Sequence, residues 1–233
     1  MMMRRSAFVA IIISLFTGIA VAQNNSQCKL NYGIKAGFQA VTYNHTNFNI
    51  DGYNFNDNTI QSNKIGYAIS PFARISKSKF YLQTEVTFGI TNHSFDFKDQ
   101  QPPADGNNAS NCIVYDLRTY CIQVPILFGF NFVEHERYGM SIFTGPRTKF
   151  IFPSMSDQNF KHFRYRHLEE VLNDKTYYWE FGLGIKISRV FLDITFDVGI
   201  NKASRHIISH DDGKIFKSSR RDNILSFSVG FLF

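Results

Sequence analysis

The stretch "NILSFSVGFLF", residues 223–233, closes the chain. In steps of two, Leu225, Phe227, Val229, Phe231 and Phe233 form an apolar comb. Ile224, Ser226, Ser228, Gly230 and Leu232 between them are mostly small or polar. A period of two is the pattern of a strand with two unlike faces. In water such an edge invites pairing with other chains. The teeth of the comb are therefore expected to meet something other than water.

Seven similar runs precede it: "YGIKAGFQAVTY" (32–43), "KIGYAISPFARIS" (64–76), residues 80–90, "TYCIQVPILFGFNF" (119–132), "GMSIFTGPRTKFIF" (139–152), "YWEFGLGIKIS" (178–188) and "VFLDITFDVGI" (190–200). The clearest is 80–90, where Phe80, Leu82, Thr84, Val86, Phe88 and Ile90 alternate with Tyr81, Gln83, Glu85, Thr87 and Gly89. Eight such runs predict eight strands. The connections alternate in length. Long segments (44–63, 92–112, 152–175 and 202–221) take turns with short ones at "SKSK", "VEHERY" and Ser188-Arg189. Tight turns on one side and long loops on the other mark an antiparallel barrel standing across a membrane.

An immunoglobulin-like sandwich or a lipocalin would turn the apolar face inward. Here the polar face carries Lys35, Arg74, Glu85, Arg147, Glu180, Lys186, Asp193 and Asp197 together with many glycines. Small residues suit the crowded bore of a closed eight-stranded barrel, whereas on a solvated face they would only weaken the strands. Four basic and four acidic side chains can neutralise one another as a plug, which fits a filled bore better than an ion path.

The first 22 residues set the compartment. Arg4 and Arg5 precede an apolar run from Ala7 to Ile19, and Ala20-Val21-Ala22 forms an A-x-A cleavage site. This is the layout of a secretory signal peptide. Residues 1–22 are thus read as the signal, 23–31 as a short periplasmic segment and 32–233 as the barrel. Removing two arginines lowers the formal charge from +6 to +4, far from a nucleic-acid-binding composition. The three cysteines, Cys28, Cys112 and Cys121, allow one disulfide, and joining Cys112 to Cys121 would need the chain to fold back between them.

Enzymatic readings find little support. An acyl transferase barrel would need an apolar slot in its bore. A deacylase would need His and Ser together, but His93 and Ser94 point to opposite faces of a strand. His206, Ser209 and His210 are expected in a loop with no acid beside them. No metal or cofactor is expected. The loops are the better surface: Lys202, Arg205, Lys214, Lys217, Arg220 and Arg221 form a basic patch around a hairpin tip, "HDDGK". "KHFRYRH" (161–167) adds another, followed by a helical-looking "LEEVLND". Such patches suit lipopolysaccharide phosphates or an envelope protein.

The final comb, Leu225 to Phe233, resembles the C-terminal signal by which the barrel-assembly machinery of Gram-negative outer membranes recognises its substrates. More widely, "GIKAG" (33–37), "CIQVPILFGF" (121–130), the "GP" strand around Phe143–Arg147, "GLGIKI" and "DITFDVGI" together resemble the PorT-like outer-membrane β-barrel family. That resemblance implies an eight-stranded barrel in the outer membrane. It also implies, as an alternative to a self-contained barrel, an accessory subunit of a secretion or assembly machine.

Overall fold

The computed structural model describes residues 28–50, 53–54, 60–62, 65–98, 112–135, 137–161 and 168–233. The stretch read as a signal peptide lies outside these residues, as does most of "KHFRYRH". The strands in chain order are β1 (Lys29–Ile50), β2 (Tyr53–Asn54), β3 (Ile60–Ser62), β4 (Gly66–Lys77), β5 (Phe80–Glu85), β6 (Thr87–Lys98) and β7 (Cys112–Glu134), followed by β8 (Tyr138–Ile151), β9 (Asp157–Lys161), β10 (Leu168–Leu172), β11 (Lys175–Ile187), β12 (Val190–Gly199), β13 (Ser204–Ser209) and β14 (Ile215–Leu232). Antiparallel pairing runs from β1 through β4, β5 with β6, β7, β8, β11 and β12 to β14. The last strand then returns to the first, with Gly33 opposite Leu232 and Phe38 opposite Phe227. With β5 and β6 counted as one interrupted strand, the ring has eight members, the expected all-β antiparallel barrel. It begins at Lys29, slightly before the expected start at Tyr32.

The two faces are inverted relative to a soluble protein. Outward residues are apolar: Phe38, Leu82, Phe128, Phe181, Phe227 and Phe231 are 40–56% exposed. On β11 the outward row runs from Tyr177 through Trp179, Phe181, Leu183 and Ile185 to Ile187. Ten residues of rise in a strand tilted about 45° give an apolar band of roughly 25 Å, the height of a bilayer core. Tyr177 and Trp179 mark one border of the band, and Tyr32, Tyr138 and Phe80 mark the other. Two of the short turns are two residues long and place Ser78 (φ 54°) and Ser188 (φ 57°) in the left-handed region.

Strand three breaks for a local reason. Pairing of β5 with β7 stops at Thr84 opposite Ile126, and β6 resumes with Thr87 opposite Gln123. Pro125 lies in the gap and has no N–H to give. The Val86 N–H turns to the Pro71 carbonyl at 3.1 Å, and the Thr84 hydroxyl donates to the Pro125 carbonyl at 3.2 Å.

On the long-loop side, β1, β7 and β14 continue past the band, while β8, β11 and β12 stop near it. The space left is filled by β9 on β7, and by β10 on β13 and β13 on β14. The helical-looking "LEEVLND" is a strand instead: Leu168, Glu170 and Leu172 alternate inward, and β13 supplies the hydrogen bonds that helix formation would have supplied locally. Between β9 and β10 one side chain does the joining. The Gln158 carboxamide donates to the Glu170 carbonyl at 2.9 Å and accepts from the Glu170 N–H at 2.7 Å. Cys112 and Cys121 both lie on β7, so nine residues of extended chain hold them roughly 30 Å apart, and Cys121 is a buried free thiol.

The bore is floored by aromatic rings at the short-turn end. Phe72, Tyr81, Phe143 and Phe191 point inward, each directly opposite a glycine on the neighbouring strand: Gly33, Gly129, Gly182 and Gly230. A Cβ at any of the last three would lie 2.0–2.1 Å from the facing ring. Phe72 and Phe191 meet edge-on across the bore at 5.2 Å. Exchanging Gly182 for Val is therefore expected to displace the Phe143 ring and destabilise the barrel by about 1–3 kcal/mol, the range for overpacked cores. Pairing it with Phe143→Ala should recover most of that loss. Urea unfolding in vesicles, followed by the heat-dependent gel mobility of the folded barrel, measures both.

Candidate functional site

Above the aromatic floor the strands turn charged side chains inward at mid-height. Lys35 on β1 places its Nζ 2.7 Å from Glu85 Oε1 on β5 and 3.5 Å from Asp193 Oδ2 on β12. Gln83 donates to the same Glu85 oxygen at 2.6 Å. Arg147 on β8 is the second hub. Its Nη2 lies 2.6 Å from Glu180 Oε2, and its Nη1 lies 3.0 Å from Asp197 Oδ2 and donates to Gln123 Oε1 at 2.7 Å. Gln123 in turn donates to Gln39 Oε1 at 3.2 Å, and Ser70 donates to Thr87 at 2.7 Å. Glu85, Glu180 and Asp197 are at most 1% exposed. The cavity beside Lys35, Glu85, Thr87 and Arg147 holds about 20 Å³, room for about one water molecule.

Six of the eight charges named from the sequence meet in this lattice. The other two sit nearer the short turns. Arg74 is half-buried, donates from Nε to Gln83 Oε1 at 2.6 Å and stacks its guanidinium 4.1 Å over the Tyr81 ring. Lys186 shares the inward parity but is only half-buried, and among the described residues it has no carboxylate partner. Sequence reasoning did not single out the glutamines Gln39, Gln83 and Gln123, although each stands at the inward parity of its strand. It also passed over Lys149, which is 2% exposed.

A third tier closes the bore on the long-loop side. Val41, Leu117, Cys121, Ile151, Tyr178 and Ile224 from the barrel pack with Leu168, Leu172 and Ile207 from β10 and β13. One ionic group is set into this apolar roof. Glu170 Oε2 accepts from the Tyr115 hydroxyl at 2.5 Å and from Arg220 Nη1 at 2.9 Å, and Arg220 Nε lies 3.6 Å from Asp222. This corrects one member of the expected basic patch. Arg220 is 3% exposed and belongs to the bore, because its parity on β14 matches Asp222 and Ile224. Lys202, Arg205, Lys214 and Arg221 are exposed, and Arg205 donates to Asn173 at 2.5 Å. The backbone of Lys217 is described in β14 opposite His206.

The histidine-serine group is also placed differently from expectation. His206 and Ser209 lie on β13, not in a loop, and His210 Nε2 is 2.8 Å from Glu169 Oε2. Ser209, the last residue of β13, is buried, while His210 in the turn beyond it is exposed, so the two side chains face different surroundings. No cluster of three or more metal-ligating side chains occurs among the described residues. The terminal comb, Leu225, Phe227, Val229, Phe231 and Phe233, faces outward along the closing ladder, 39–65% exposed.

Removing one partner of a buried ion pair leaves an uncompensated charge and costs about 3–5 kcal/mol. Arg147→Met is expected to lose that much, since Glu180 and Asp197 both depend on it. Adding Glu180→Gln and Asp197→Asn should restore most of the stability, because the remaining amides carry no charge. Guanidinium unfolding of the single and the triple variant in vesicles measures both.

Residues 21–205 match the family described as outer membrane protein beta-barrel domain. No curated protein sequence matches the chain. Among solved structures, the outer membrane protein OprG from Pseudomonas aeruginosa superimposes with a TM-score of 0.55 at 11% identity, covering 87% of this chain and 95% of that one. The attachment invasion locus protein Ail of Yersinia pestis aligns at 12% identity over 87% of this chain and 98% of that one, with a TM-score of 0.38. What is shared with OprG is the fold. A closed ring with an apolar exterior and a charged bore, and a family match over most of its length, make this chain a member of the outer membrane protein beta-barrel domain family.

Proposed function

We propose that this outer-membrane protein is a non-enzymatic, plugged barrel that acts through its extracellular tier, by binding lipopolysaccharide or an envelope protein. The filled bore carries this reading. Ring floor, ion lattice and apolar roof follow one another along the axis, and the cavity in the ionic tier has room for little more than one water molecule. A solute path would need a continuous opening. The tier outside the membrane offers what the bore does not. Lys202, Arg205, Lys214 and Arg221 stand exposed on β13, β14 and their neighbouring turns, above outward Tyr177 and Trp179. Cations at that height face the phosphates of outer-leaflet lipid. During biogenesis, the outward comb from Leu225 to Phe233 is the segment that the assembly machinery would read.

A second reading makes the barrel an accessory subunit of a secretion or assembly machine. It rests on the resemblance of "CIQVPILFGF" and the paired "GLGIKI" and "DITFDVGI" strands to the PorT-like group. The two readings differ in what stays bound to the barrel.

Two measurements test the proposal. In planar bilayers the purified protein is expected to carry no steady current; stable conductance would remove the plugged reading. Lipopolysaccharide retained after mild detergent extraction should fall about tenfold when Lys202, Arg205 and Arg221 are changed together to Gln. Unchanged retention, with a stoichiometric protein partner holding through the washes, would favour the accessory subunit.

A further inference from the structure

The short-turn end carries a charge pattern unlike the rest of the surface. Lys29 at the start of β1, Lys77 and Lys79 at the β4–β5 turn, Arg137 at the β7–β8 turn and Arg189 at the β11–β12 turn are all exposed. None of these side chains has an ion-pair partner among the described residues. Glu134 is the one exposed carboxylate side chain described there, and Glu136, outside the described residues, is a neighbour in sequence. The extracellular tier, by contrast, mixes its signs: His210 meets Glu169 and Lys214 meets Asp212.

Geometry fixes the depth of these cations. The turns at Ser78-Lys79 and Ser188-Arg189 are two residues long, the tightest hairpin connection, so their cations stay at the edge of the apolar band. Three of the cations also adjoin a lipid-facing apolar residue in sequence, and Lys77 shares its turn with one of them. Lys79 precedes Phe80, Arg137 precedes Tyr138 and Arg189 precedes Val190, with exposures of 50%, 52% and 43%. An aromatic or aliphatic anchor in the acyl region with a cation just outside it is the arrangement that straddles a headgroup layer. The positions are spread around the ring, at three successive turns and the start of β1, rather than gathered on one side. One docked protein would need a patch, whereas a ring of lipid needs a perimeter.

We infer that the periplasmic rim of this barrel is a collar for anionic phospholipid, with Lys77, Lys79, Arg137 and Arg189 holding the headgroup phosphates of the inner leaflet. The collar is independent of the extracellular binding surface and would stand if that reading fell.

The test reconstitutes the full chain into vesicles of equal phosphatidylglycerol and phosphatidylethanolamine, extracts it in mild detergent and counts the retained lipids by native mass spectrometry. Wild type is expected to keep phosphatidylglycerol about tenfold over phosphatidylethanolamine, and 0.5 M salt during extraction should erase the preference. Changing all four cations to Gln should bring the ratio to near one. Swapping Lys for Arg and Arg for Lys at the same positions should keep the preference, and the Lys202→Gln, Arg205→Gln, Arg221→Gln variant should keep it too. Heat-dependent gel mobility confirms folding, and if the Gln variant does not fold, the salt response of the wild type decides alone. A wild type with no preference, or a folded Gln variant that keeps one, overturns the collar. So does an acidic protein that co-purifies from native outer membranes with the wild type but not with the Gln variant, the vesicle lipid ratio being unchanged, which would make the rim a protein dock.

Discussion

In hydrocarbon no water can satisfy a peptide group, and each unpaired N–H or C=O costs several kcal/mol. Every other feature of this molecule depends on that constraint. It demands that the sheet close, and the ladder from Gly33–Leu232 to Phe48–Ser218 closes it. It explains why the break at Val86 is patched immediately by the Pro71 carbonyl and the Thr84 hydroxyl. Outside the membrane the demand relaxes, and there a single glutamine side chain suffices to join β9 to β10.

Closure creates a second problem, that of filling a narrow bore without strain. The floor solves it by volume: four aromatic rings each lie in the space left by a missing side chain on the adjacent strand. The middle tier solves it by charge. Two cationic hubs each hold two carboxylates drawn from other strands, so the lattice ties β1, β5, β8, β11 and β12 together across the axis. Burying these charges requires that each keep its partner. The roof returns to apolar packing because β10 and β13 bring leucine and isoleucine side chains over the opening.

Much of this was legible in the sequence because period-two alternation is local and survives without knowledge of neighbours. The strand order, the faces and the six lattice charges follow from parity and from alternating connection length. The floor was half legible: the inward glycines were recognised as small residues for a crowded bore, yet their one-to-one match with Phe72, Tyr81, Phe143 and Phe191 is a matter of register, which pairs residues 39 to 48 positions apart and leaves no local mark. Arg220 was misplaced for a related reason. A residue between basic neighbours reads as part of a charged loop until β14 is known to extend that far, and then its parity turns it inward. Glu170 lay in a stretch whose residues favour a helix, and only its partner β13 made it a strand.

The closing ladder also orders events in time. It joins Ile34 to Phe231, residues separated by nearly the whole described chain, and contacts of that separation form late because the loop they close is so long. Until β14 arrives, the assembling sheet presents two bare edges, one on β1 and one on β12, and the β10–β13 pair of the roof has no ladder to join it to the wall. The final strand therefore works as a clasp: residues 225–231 seal the wall against β1 and β12 while residues 215–224 hold the roof, so one strand converts an open, aggregation-prone sheet into a finished barrel.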